Sequence, residues 1–214
     1  KGEEAEGRHD AVFSFTGKSD KDWEITIEDD HLVDLIMKTN RLGSKNADLF
    51  MYISEAGNEV DLKAEHINQY IRATSGEGFT AKNFRTWSAT SRCAERLAFL
   101  STPHDAKEMK SWIRKLPVVE SVQKLWDGND WSVPDSEFAK NKTMLAVIDT
   151  VAADLGNTRA VCRSSYIHPW FLDAWMSESL NHKWQEYCDM RRISGLSQGE
   201  STTLRILKDL RNRN

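Results

Sequence analysis

Apolar and polar residues alternate over Ala11-Val12-Phe13-Ser14-Phe15-Thr16 and again over Trp23-Glu24-Ile25-Thr26-Ile27-Glu28. A period of two is that of a strand. The turn-forming run Gly17-Lys18-Ser19-Asp20-Lys21-Asp22 lies between them, so the pattern predicts a β-hairpin with Lys18 at its tip. A short helix carrying Leu32, Val33, Leu35 and Ile36 is predicted next, then a strand over 49–53 that ends at Gly57-Asn58. Beyond this point the period lengthens to that of a helix. Residues 61–73 place Leu62, Ile67, Tyr70 and Ile71 at helical spacing, and Gly76-Glu77-Gly78 interrupts them. A helix from Thr80 through Phe84, Trp87, Cys93, Leu97 and Leu100 stops near Pro103. Pro117 and Pro134 bound a less regular stretch with Trp126 and Trp131, read as an inserted helix and loop. From Asp135 a long amphipathic helix with Phe138, Leu145, Ile148, Val151 and Leu155 runs to Gly156, well placed to end it. Another helix follows Pro169. The last starts at the capping box Ser197-Gln198-Gly199-Glu200 and displays Leu204, Ile206, Leu207 and Leu210. The predicted class is mainly α (α+β): a helical domain with a small N-terminal antiparallel sheet and no internal repeats.

Composition narrows this without changing it. A chain of 214 residues with 39% hydrophobic and 29% charged residues suits a soluble globular protein that buries roughly 70% of its unfolded surface. No apolar run approaches the roughly 18 residues of a spanning helix, so a membrane partner is not expected. Cys93, Cys162 and Cys188 are odd in number and far apart, which argues against a disulfide framework or a zinc site and fits a reducing, cytoplasmic setting. The chain opens on Lys1 and a charged stretch, read as a lead-in over 1–10 from something upstream. The net charge of −4 disfavours duplex binding, because phosphate neutralisation normally supplies much of the affinity. Contact with nucleic acid must then come from local basic clusters.

Four places carry candidate chemistry, and each has a plainer reading. Gly17-Lys18-Ser19 looks like the end of a phosphate-binding loop, but Val12 stands where that motif needs glycine and a strand follows where it needs a helix. Lys18 is then either a solvated turn residue or a flexible ammonium presented as a proton donor. In Lys82-Asn83-Phe84-Arg85-Thr86-Trp87, Arg85 either pairs with a carboxylate or holds two phosphate oxygens at once. Leu155-Gly156-Asn157-Thr158 reads as a helix C-cap, with Asn157 taking an unusual backbone conformation. Tyr166, in Cys162-Arg163-Ser164-Ser165-Tyr166-Ile167-His168-Pro169, reads by default as a half-buried tyrosine before a proline-started helix. Arg159 and Arg163 make its segment locally basic.

Three blocks together resemble the type IB DNA topoisomerases, specifically their compact bacterial and poxvirus-like branch. They are Phe15-Thr16-Gly17-Lys18-Ser19, Phe79-Thr80-Ala81-Lys82-Asn83-Phe84-Arg85-Thr86-Trp87, and Leu155-Gly156-Asn157-Thr158-Arg159-Ala160-Val161-Cys162-Arg163-Ser164-Ser165-Tyr166-Ile167-His168-Pro169. They stand in the family's order, and the resemblance runs from about Val12 to the C-terminus. It implies that Tyr166 attacks the scissile phosphate to form a 3′-phosphotyrosyl intermediate, with no cofactor, neither ATP nor metal. It implies that Lys18 protonates the departing 5′ oxygen, Arg85 clamps the non-bridging oxygens, and Asn157 donates a further hydrogen bond where some members have histidine. Lys82, Arg92, Arg159 and Arg163 are the candidate DNA-backbone contacts.

The expected organisation is a catalytic domain over 11–214, with 102–136 as an insertion longer than the family's pattern. A monomer acting on duplex DNA in a bacterial cytoplasm, at the nucleoid, follows from the resemblance. The family's second phosphate-clamping arginine would lie upstream of the hairpin, in the missing half of a C-shaped clamp; Arg8 is too close to be that residue. Two other functions stay open. A tyrosine recombinase shares the fold and chemistry but should show H-x-x-R, where Lys82 stands three before Arg85. A non-catalytic DNA-binding domain of the same fold would suit the acidic balance.

Overall fold

The computed structural model describes residues 10–17, 20–40, 42, 49–126 and 132–213. The chain divides into two compact units, Lys1–Gly78 and Phe79–Asn214. Its fold is mainly helical with a small N-terminal antiparallel sheet, as the pattern predicted.

In the first unit, β1 (Ala11–Gly17) pairs antiparallel with β2 (Lys21–Ile27), in a register running from Ala11 opposite Ile27 to Gly17 opposite Lys21. Asp20 takes a left-handed φ of 54° in the connection, and Thr16 Oγ1 donates to Asp22 Oδ1 at 2.8 Å. Helix α1 (Asp30–Asn40) follows, with the Asp29 carboxylate accepting from Leu32 N–H at 2.9 Å to cap its open donors. The strand expected at 49–53 is the shorter β3 (Met51–Ile53), paired with β4 (Glu59–Asp61). Residue 61, expected to open a helix, ends this second ribbon. Strand pairing overrode the weak helical period there, and α2 (Ala64–Ser75) begins later and closes at Gly76, whose φ is +106°. The unit's described hydrophobic core is small: Val33 and Met51 are buried, and Phe13 stacks on Phe50 at 6.0 Å between ring centres.

The second unit holds eight helices among its described residues. They are α3 (Ala81–Leu100), α4 (Ala106–Ile113), α5 (Glu120–Trp126), α6 (Glu137–Asp154), α7 (Arg159–Ser165), α8 (Pro169–Met176), α9 (Ser179–Cys188) and α10 (Gln198–Arg213). Its core joins α3, α6 and α8 through Cys93, Leu97, Val147, Ile148, Val151 and Phe171, each fully shielded from water. Burial of large apolar side chains like these stabilises by about 1.5–3 kcal/mol apiece. Helix α6 is more enclosed than an amphipathic stripe implies, because Thr143, Met144, Ala146 and Thr150 are buried beside the expected Ile148 and Val151. Phe138, expected on the apolar face, is 75% exposed. Within 102–136, α4 and α5 place Met109 and Val122 in the same core, and Trp112 stacks on Phe99 at 4.7 Å. Trp131 lies outside the described residues.

The helix expected after Pro169 is broken in two at Glu178, which has a left-handed φ of 63°. The capping box of α10 forms as predicted: Ser197 N–H donates to Glu200 Oε2 at 2.8 Å and Glu200 N–H to Ser197 Oγ at 3.1 Å. The buried face of α10 is largely polar, however, with Ser201, Thr202 and Thr203 fully enclosed beside Ile206.

Candidate active site

Arg85 stands in the second turn of α3. That helix starts where the sequence predicts, since Asn83 Oδ1 accepts from Thr80 N–H at 2.9 Å and from Thr80 Oγ1 at 3.0 Å. Arg85 is exposed near the start of this long, well-packed helix, which holds its backbone in place.

Asn157 is placed by the end of α6. Gly156 adopts φ +65°, a conformation strained for a residue with a Cβ, and donates to Ala153 O at 3.1 Å, while Asn157 N–H donates to Ala152 O at 2.8 Å. This pair of bonds is the Schellman arrangement, so the segment is the expected C-cap, but Gly156 rather than Asn157 takes the left-handed conformation, at no Cβ cost. The Asn157 side chain is not consumed by it: Nδ2 of Asn157 is buried with no hydrogen-bond partner among the described residues. An orphaned buried amide donor costs stability, typically about 1–3 kcal/mol, and marks a place where an acceptor would bind.

Tyr166 sits between two capped helices. Thr158 Oγ1 accepts from Val161 N–H at 3.3 Å to start α7, and both Tyr166 N–H and Ile167 N–H reach the Cys162 carbonyl at 3.1 Å to end it. Pro169 then opens α8, with His168 Nδ1 accepting from Trp170 N–H at 3.3 Å. Burial holds His168 below the ordinary imidazole value, favouring the neutral ring that this cap requires. Between these stops Tyr166 is fixed at φ −126°, its side chain partly buried against the core.

The structure brings Arg85 and Tyr166 together. The guanidinium carbon lies 5.5 Å from the centre of the Tyr166 ring, within cation–π range. Arg85 Nη2 donates to Leu155 O at 2.7 Å, tying the same arginine to the turn that carries Asn157. One of its five donors is thereby committed, and it pairs with a backbone carbonyl rather than with the carboxylate of the plainer reading. Cys162, beneath this group, is fully buried and its thiol is pushed up to about 11 by burial, against the opposing pull of Arg85, so it stays protonated at neutral pH. Lys18 lies outside the described residues.

The four candidate backbone contacts differ in their engagements. Lys82 and Arg163 are exposed. Arg92 pairs with Asp154 at 2.9 Å, a carboxylate that also accepts from the more buried Arg96 at 2.6 Å. Arg159 grips Asp149 with two nitrogens, its Nε at 2.6 Å from Oδ1, and Ser121 Oγ donates to the same carboxylate at 2.5 Å. Burial acts to raise Asp149, but the hydrogen bonds from Arg159 and Ser121 outweigh it and hold the carboxyl below its ordinary value.

Thr90 was not singled out by the sequence, although it touches the Tyr166 segment. Five residues past Arg85, it lies well round the helix from it and faces the core, where no short-range pattern marks it.

Comparison with known proteins supplies the family. Residues 4–188 match the family described as eukaryotic DNA topoisomerase I, catalytic core. No curated protein matches the chain. The matched span includes α3, the α6–α7 turn and the Tyr166 segment. With most of its length matched and Arg85 and Tyr166 meeting inside that span, the chain belongs to the DNA topoisomerase I catalytic-core family, whose members are DNA-binding isomerases.

Proposed function

We propose that this protein relaxes supercoiled duplex DNA by cutting and resealing one strand through Tyr166, in the manner of the type IB enzymes. The observation that carries this reading is the meeting of Arg85 with Tyr166 in a chain of this family. The phenolic oxygen of Tyr166 attacks the scissile phosphorus as the bond to the 5′ oxygen breaks. The 5′ hydroxyl then returns by the reverse step, so the phosphodiester energy is kept in the tyrosyl ester and no nucleotide need be hydrolysed.

Arg85 keeps donors for the non-bridging oxygens, where negative charge gathers in the five-coordinate transition state, and the unpartnered Asn157 amide supplies one more. Lys18 is assigned the proton that leaves with the 5′ oxygen, a contribution of about 10²–10⁴ in rate. Metal is not required because arginine and amide donors take the place of a Lewis acid. Asparagine at 157 and the Leu155-to-Pro169 pattern favour the compact bacterial and poxvirus-like branch, and a monomer working at the nucleoid follows from that assignment.

Lys82 and Arg163 are the readiest backbone contacts. Arg92 and Arg159 are partly committed to Asp154 and Asp149, so those carboxylates offset part of the charge they could offer a phosphate. Phosphate contacts of this kind each steepen the salt dependence of binding by roughly one counterion.

The test is relaxation of a supercoiled plasmid by the full-length protein in EDTA without ATP. Relaxed topoisomers are expected from the native protein and none from Tyr166→Phe. DNA binding without relaxation would favour a non-catalytic domain, and site-specific strand exchange a recombinase.

A further inference from the structure

Serine and threonine hydroxyls inside a helix ordinarily bond back to a carbonyl one turn earlier. On α3 this holds for Thr86, which donates to Lys82 O at 3.2 Å, and for Ser91, which donates to Trp87 O at 2.9 Å. Thr90 does something else. Its hydroxyl leaves the helix, donating to Tyr166 O at 3.0 Å and accepting from His168 N–H at 3.1 Å. The residue is 3% exposed, so both bonds are shielded from water. One side chain thus closes a loop across the peptide groups on either side of Ile167, itself buried, immediately after the tyrosine.

The same helix carries Arg85, whose Nη2 holds the carbonyl of Leu155 beside Asn157. Helix α3 is therefore fastened to both chain segments of the candidate site, by Arg85 at one and by Thr90 at the other. In-line attack on phosphorus depends on where the nucleophilic oxygen lies relative to the clamped phosphate. Tyr166 N–H still bonds back to Cys162 O, but its carbonyl lies past the end of the α7 ladder, so a partner outside the helix must hold that side of the residue.

We propose that Thr90 is a positioning residue for strand cleavage, setting the Tyr166 main chain against the Arg85 helix so that the phenol meets the phosphate in line. The proposal rests on the reading of Tyr166 as nucleophile. Thr90 itself touches no reacting atom. Valine has nearly the same shape but no hydroxyl, so Thr90→Val removes both bonds while filling the space, and leaves the Tyr166 carbonyl and the His168 amide without their partner.

The experiment measures single-turnover covalent adduct formation at saturating suicide duplex, together with DNA affinity and Tm, for the full-length protein and its Thr90→Val, Thr90→Ser and Tyr166→Phe variants. A misplacement of the nucleophile by an ångström or less predicts that Thr90→Val slows adduct formation about 10–10²-fold while DNA affinity stays within about twofold. Thr90→Ser, which keeps the hydroxyl, is expected to restore most of the rate. A lowered Tm alone would not produce that split, since a purely structural role lowers the folded fraction and not the rate of the DNA-bound folded protein. If Thr90→Val does not fold, Thr90→Ala takes its place in the same comparison.

Adduct formation that needs Tyr166 but proceeds at the native rate in Thr90→Val, or a slow rate that Thr90→Ser fails to recover, overturns the positioning role and leaves the nucleophile assignment standing. No adduct from the native protein, or adduct retained in Tyr166→Phe, overturns both.

Discussion

The two units of this chain bury their apolar residues very differently. In the first, hairpin positions Val12, Phe15 and Ile25 are 57%, 50% and 43% exposed, helix α2 buries none of its residues, and the buried hydrophobics among the described residues are Val33 and Met51. In the second, one continuous core runs from Ala89 to Ile206. A two-stranded ribbon is marginal by itself, whereas helices packed on a shared core are not. Arg85, Asn157 and Tyr166 all stand on the well-packed unit, where small displacements are resisted. The first unit contributes the exposed hairpin β1–β2, whose apolar positions have little cover among the described residues. The phosphate clamp and in-line nucleophile proposed for Arg85 and Tyr166 need the precision of the second unit.

That contrast can be broken by substitution. Phe171 is fully buried at the centre of the second unit, so Phe171→Ala is expected to cost about 3–5 kcal/mol in a denaturant titration. A cost near zero would deny that this core carries the stability. Next comes Asp154, whose carboxylate lies between Arg92 at 2.9 Å and the largely buried Arg96 at 2.6 Å. Asp154→Ala leaves Arg96 charged, enclosed and bonded only to Thr150 Oγ1 at 2.9 Å among its described partners, for an expected loss of about 3 kcal/mol. Replacing Arg96 and Asp154 together by apolar residues should recover much of it.

A smaller effect follows pH. The folded value of His168 is lowered by burial, so its contribution is fully present above the unfolded value of about 6.5. It is lost as pH falls from there through the lower folded value, because the unfolded chain takes up a proton that the folded one refuses. Melting curves between pH 7.5 and 5.5, taken as about one unit either side of the unfolded value, should therefore show a slope that His168→Asn, which still caps α8, reduces. Smallest of all, Val12→Thr on the open hairpin is expected to change stability by less than about 0.5 kcal/mol. A loss comparable to that of Phe171→Ala would show that the hairpin's apolar face is covered in solution and would remove the contrast.

Much of the fold was legible because its signals are short-range. The alternation over 11–16 and 23–28, the start at Thr80, the stop at Gly156 and the Ser197–Glu200 box each involve residues within a turn or two of one another. Features decided by distant partners were not legible. Residues 59–61 pair as a strand because 51–53 offers one, and α10 can bury Ser201 and Thr202 because their hydroxyls donate to Ser197 O and Gln198 O, which hydropathy does not register. The break at Glu178 carries no glycine or proline to announce it. In the candidate site, Arg85, Asn157 and Tyr166 were readable from motif resemblance. The carboxylates that hold Arg92 and Arg159, and the hydroxyl of Thr90, act across the fold and leave no spacing to detect.

The central claim is that Tyr166 is a nucleophile toward DNA. It is tested most directly with a suicide duplex whose downstream strand end diffuses away after the cut, incubated with the full-length protein in the absence of metal and run on a denaturing gel. A covalent protein–DNA adduct is expected, mapping to the peptide that contains Tyr166 and absent from Tyr166→Phe. A folded, DNA-binding protein that forms no adduct, or an adduct that persists in Tyr166→Phe, would contradict the account.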